Sequence, residues 1–125
     1  MGTRFNRSGC RVMRRALLLI AFLAGCSQGP EADLPYISQA RSLGSEWALI
    51  NEQAAAGRLT GHYVQTMRES IREQLQTTGK SLTKPDSRYA REIQTLIEQP
   101  DDAAPEELRA HAAVLKQIED GLESA

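Results

Sequence analysis

The sequence predicts an all-α fold, a small antiparallel bundle of three to four helices, and three observations carry that prediction. Apolar residues recur at alternating spacings of three and four in four separate segments between residues 34 and 125, the pattern of an amphipathic helix. Pro- and Gly-containing breaks separate those segments at short intervals, which favours antiparallel neighbours. Runs of alternating β-branched residues are missing, while Ala, Leu, Glu, Gln and Arg dominate, a composition suited to helix and poor for strand. No internal repeat accompanies the shared period.

In the first helix, Pro35 suits the opening turn and Asp33 stands just upstream as its expected cap. Ala40, Leu43, Trp47, Ile50 and Ala54 form its stripe, interrupted by Gly44, and Ala54-Ala55-Ala56-Gly57 supplies a C-terminal glycine. Thr60 is the expected cap of the second helix, whose stripe is Val64, Met67, Ile71 and Leu75 and whose end is Thr77-Thr78-Gly79. Asp86 is the expected cap of a short third helix that faces inward through Tyr89, Ile93, Leu96 and Ile97. There Arg88 and Glu92 make an exposed i,i+4 pair, and Pro100 is the stop. The placement of this helix is left open, beside the others or across them as a cap. The fourth opens at Pro105 with Glu106 and Glu107 at the positive end of its dipole, and carries Leu108, His111, Leu115, Ile118 and Leu122. About 23 large apolar or aromatic residues serve the whole domain, a thin core that leaves room for self-association or a partner.

The first quarter of the chain has a different layout. Arg11, Arg14 and Arg15 precede the apolar run Ala16-Leu17-Leu18-Leu19-Ile20-Ala21-Phe22-Leu23, and Ala24-Gly25-Cys26 follows. The run is about half the length of a membrane span, and basic, then apolar, then small residues is the order of a secretory signal. With a cysteine after the small pair, Leu23-Ala24-Gly25-Cys26 resembles the lipobox of bacterial lipoproteins. The resemblance implies cleavage between Gly25 and Cys26, a diacylglycerol on the Cys26 thiol and acylation of the new amino group, palmitate being a typical chain. It also implies a cell-envelope address. Ser27, in place of the Asp that retains such proteins at the inner membrane, implies the outer membrane facing the periplasm in a Gram-negative cell. The chain then divides into a signal peptide, 1–25, a lipidated Cys with linker, 26–33, and a helical domain, 34–125.

Charge and cysteine narrow the function. Five of the fifteen basic side chains and none of the sixteen acids lie in residues 1–25, so residues 26–125 carry ten against sixteen, a net of −6. A nucleic-acid binder needs a basic footprint that this part lacks, and the net charge gives the lipid anchor no polybasic help. Cys10 leaves with the signal and Cys26 is acylated, so neither a disulfide nor a thiol nucleophile is expected.

Site motifs are weak. Thr78-Gly79-Lys80-Ser81 looks like the end of a phosphate-binding loop, but position 74 is Gln and a helix precedes it, so a helix end is the better reading. Glu107 and His111 are one turn apart with no second His nearby, short of a bundle metal site. Neither a Gly-x-Ser-x-Gly elbow nor an acid pair in an apolar setting is present. No enzyme activity, cofactor or metal is expected. Trp47 is assigned to the core, with an interface anchor as the alternative.

The functional hint is charge asymmetry: residues 58–91 hold seven cations against three acids, and residues 101–125 seven acids against two cations. A solvated surface is the plain reading. The functional one is a basic face, Arg68, Arg72, Lys80, Lys84 and Arg88, offered to an acidic envelope protein or to envelope phosphates. The expectation is a non-catalytic envelope lipoprotein whose domain serves interaction or structure, held to the membrane by lipid. The alternative is a bundle that binds a small ligand or ion around Trp47, Met67 and His111.

Overall fold

The computed structural model describes residues 29–125, so the expected signal, the Gly25–Cys26 junction and the start of the linker lie outside the described residues. A 3-10 turn, Pro30–Asp33, leads into four helices: α1, Leu34–Ala55; α2, Gly61–Lys80; α3, Arg88–Ile97; and α4, Pro105–Glu123. Among the described residues there is no strand, and no helix is long and apolar enough to cross a membrane.

Each helix starts where its local chemistry allows. Thr60 Oγ1 accepts from Tyr63 N at 3.2 Å and caps α2 as expected. Ser87, not Asp86, caps α3, its Oγ accepting from Ala90 N at 3.1 Å. Pro35 and Pro105 occupy the first turns of α1 and α4, where the N–H they lack would have no helical partner. Asp33 precedes α1 but makes no capping bond. At the other end of α1, Gly57 turns the chain at φ +72, a region that suits glycine. The second helix runs past its expected Gly79 end to Lys80.

The helices alternate in direction. Arg41 meets Glu119 and Arg109 meets Glu52, so α4 runs antiparallel to α1, the most extensive pairing in the bundle. Gly79 lies against Ile93 and Ile97, while Arg72 reaches the Ile97 carbonyl. The short α3 therefore packs on α2, and it touches α1 and α4 as well. A methyl added at Gly44 would sit 3.2 Å from Leu96 Cδ2 and 3.6 Å from Ala112 Cβ. Gly44 thus marks where side chains of α3 and α4 press onto α1, which offsets its poor helix propensity of about 1 kcal/mol.

The core contains the expected Ala40, Leu43, Trp47, Ile71, Leu75, Ile93, Leu96, Leu108 and Leu115, and also Ile37, Ala48 and Ala112, which lie outside the narrow stripes. Met67, Ile118 and Leu122 pack at its edge. Within the stretch read as linker, Asp33 is fully buried and the 3-10 turn packs on α1 and α4, so residues 30–33 belong to the packed bundle.

Candidate interaction surface

Two polar clusters, one at each end of the bundle, decide which side chains are free to meet anything else. The first is at the end where the chain enters. There the Asp33 carboxylate accepts from Thr83 N at 2.9 and 3.1 Å, from Lys84 N at 3.2 Å and from Tyr89 Oη at 2.6 Å. Burial alone would raise the Asp33 pKa, but the bonds from Tyr89, Thr83 and Lys84 together hold it below the usual carboxylate value. Burial and the same bond to Asp33 push the Tyr89 phenol up to about 12. The link 81–87 is thereby fastened to the start of α1.

The second cluster is at the opposite end. Trp47 Nε1 and Asn51 Nδ2 both donate to the Asp101 carbonyl at 3.0 Å, and Asn51 Nδ2 also donates to the Ala103 carbonyl at 2.8 Å. Arg68 Nε donates to Asn51 Oδ1 at 2.9 Å. Arg72 donates to the carbonyls of Ile97 and Gln99 and to Asp101 Oδ1, and its guanidinium lies 4.9 Å from the centre of the Trp47 ring. Three side chains of α1 and α2, Trp47, Asn51 and Arg72, thus bond the link 98–104, and Arg68 holds Asn51 in turn.

This geometry divides the expected basic face. Arg68 and Arg72 are half-buried and committed to the fold, and the acid that answers Arg72 is Asp101 in a link, not an acid of α4. Lys80, Lys84 and Arg88 are exposed, and among the described residues none of the three stands in an ion pair. Trp47 is 1% exposed and takes the core role. Glu119, on the inner side of α4, is answered by Arg41 at 2.8 Å.

His111 does not stand beside Glu107 in a site of its own. Its Nδ1 lies 2.7 Å from Glu92 Oε1, so Glu92 turns to α4 and does not form the expected pair with Arg88. Both side chains are about one-fifth exposed, and such a pair is worth under about 1 kcal/mol. His111→Leu should therefore shift folding stability by less than about 1 kcal/mol in urea titration. A larger loss would mean that the pair carries packing its exposure does not suggest.

Asn51 and Asp33 are structural centres that the helical patterns of the sequence do not mark. Asn51 left a trace, since it sits one turn after Trp47 where the inner face continues. Asp33 left none, because its partners are 50 to 56 residues away.

The clefts of the described surface are open. One of about 610 Å³ lies between the end of α2 and α3, with Lys80, Leu82, Ile93 and Ile97 among its lining. None of Trp47, Met67 and His111 lines this cleft; Trp47 donates to the Asp101 carbonyl and His111 meets Glu92. Among the described residues no three His, Cys, Asp or Glu side chains gather as a metal site. No protein-family model, curated protein or solved structure matches the chain.

Proposed function

We propose that this protein is a non-catalytic lipoprotein of the cell envelope, tethered by acyl chains on Cys26, whose helical domain serves as an interaction or structural module. One observation carries the reading: Leu23-Ala24-Gly25-Cys26 at the end of an eight-residue apolar run behind three arginines. The bundle supports it by what its polar groups do. The buried polar clusters fasten links, and every buried side-chain polar atom among the described residues has a partner, so the core offers a ligand no unanswered group. The open cleft between α2 and α3 suits surface contact better than enclosure of a small molecule. In a Gram-negative cell, Ser27 supports an address at the outer membrane, facing the periplasm.

Metabolic labelling with palmitate tests the anchor. The wild-type chain should incorporate label and shorten on processing, while Cys26→Ala should incorporate none and keep its leader. Equal labelling of the two would overturn the reading.

A further inference from the structure

The end of the bundle at which the chain enters also carries a group of exposed cations that stand in no ion pair among the described residues, while Arg58 is exposed at the other end. Asp33 binds the backbone of Thr83 and Lys84, so the link 81–87 is seated directly on the turn that precedes α1. Lys80 is the last residue of α2 and Arg88 the first of α3, so both border that link. Between residues 80 and 91 the chain holds Lys80, Lys84, Arg88 and Arg91 against one acid, Asp86, and all five are exposed. Arg91 turns back to the Asp86 carbonyl at 2.7 Å. Of the acids that α4 brings to this end, Glu119 is answered by Arg41 and Asp120 by Lys116. Glu31, in the turn on which the link is seated, and Glu123, the last residue of α4, are the other exposed acids of this end.

The tether makes this placement matter. The turn that packs on the bundle starts at Pro30, four residue steps from Cys26, which span at most about 14 Å of chain. Unscreened attraction between exposed charges reaches about 8 to 10 Å at moderate salt, so a domain on so short a leash keeps this end within range of a charged bilayer surface.

From this juxtaposition we propose that the link 81–87 and its flanks, through Lys80, Lys84 and Arg88, form the membrane-facing surface of the domain and bind the phosphates of anionic lipid headgroups. The inference rests on the acylation of Cys26 proposed above. The net −6 of residues 26–125 conceals this patch, because the acids that outweigh it lie mostly on other parts of the bundle. Contact of this end with the bilayer turns the opposite end, with Glu98, Asp101, Asp102, Glu106 and Glu107, away from the membrane.

The test uses the lipidated mature protein in vesicles of phosphatidylcholine, or of an equimolar mixture with phosphatidylglycerol. A thiol-reactive fluorophore is placed at Pro85→Cys in the basic link or at Ala56→Cys in the link at the other end, and quenching by headgroup-labelled lipid is read. On the mixed vesicles, position 85 should be quenched several-fold more than position 56. High salt, omission of phosphatidylglycerol, or the variant Lys80→Glu, Lys84→Glu, Arg88→Glu should each bring the ratio close to one. The salt and lipid arms need no charge variant, so they decide even if that variant misfolds. Equal quenching at both positions on the mixed vesicles would overturn the proposal and leave the basic link free for an acidic protein. A ratio that ignores salt and lipid charge would also overturn it, since the tether alone would then set the orientation. Absence of palmitate on the wild-type chain, read beforehand, would instead remove the anchor itself.

Discussion

Asp33→Ala should lower folding stability by about 3–5 kcal/mol, since it strips a charged acceptor from several buried donors at once. The loss is that large because nothing else at the site can take over. Tyr89 is 4% exposed and its hydroxyl points at the carboxylate. The N–H groups of Thr83 and Lys84 have turned from solvent toward the same two oxygens. Asp33→Asn keeps the shape but offers one acceptor and brings a second donor against the N–H groups, so about half the loss should remain. Urea titration checks both. The midpoint should fall while the slope stays constant, because the surface exposed on unfolding hardly changes.

The same group sets a pH signature. The folded-state pKa of Asp33 lies below its unfolded value, despite burial that acts the other way. Its contribution is therefore complete above the ordinary carboxylate pKa of about 4 and is lost as pH falls through the lower folded value. Tyr89 behaves oppositely. Its folded pKa is raised to about 12 by burial and by Asp33, so its contribution is complete below about 10, the ordinary phenol value, and is lost as pH rises through about 12. Tyr89→Phe should abolish the alkaline loss that this group causes and leave the Asp33 donors from Thr83 and Lys84 intact.

What was legible in the sequence is what depends on near neighbours. The four helices follow from apolar spacing, and the Thr60 cap and the Gly57 turn follow from local chemistry. The misread residues are those whose partners come from far along the chain. Asp33 looked like a helix cap because the donors it serves lie near residue 83. Asp86 looked like the cap of α3 because Ser87, the residue that fills the role, stands beside it. Glu92 seemed paired with Arg88 one turn before it, whereas His111 of α4 competes successfully. The basic residues of the second half were visible as charge. Their division into a half-buried pair, Arg68 and Arg72, and an exposed set at the tether end depends on where the links fold back.

That division makes Arg72→Glu the second severe change, with an expected loss of about 3 kcal/mol or more. From sequence alone, Arg68 and Arg72 are like charges at i,i+4 and should only repel, by a few tenths of a kcal/mol. In the fold, Arg72 spends its planar fork on the carbonyls of Ile97 and Gln99 and on Asp101, with the Trp47 ring beneath it. A glutamate there leaves two carbonyls without their donor and sets a carboxylate beside Asp101. Arg72→Lys keeps the charge but cannot reach several acceptors in one plane, so a loss of about 1–2 kcal/mol is expected. Arg68→Glu should fall between these, because Arg68 answers one oxygen, Asn51 Oδ1, on a side chain that is itself only 5% exposed. By contrast, Lys84→Glu should stay within about 0.5 kcal/mol of wild type, as its side chain is exposed and engages no acid among the described residues. Thermal melting of the four variants ranks them directly. An Arg72→Glu protein that melts like wild type would show that the link 98–104 is held without it, and would return Arg72 to the exposed basic set.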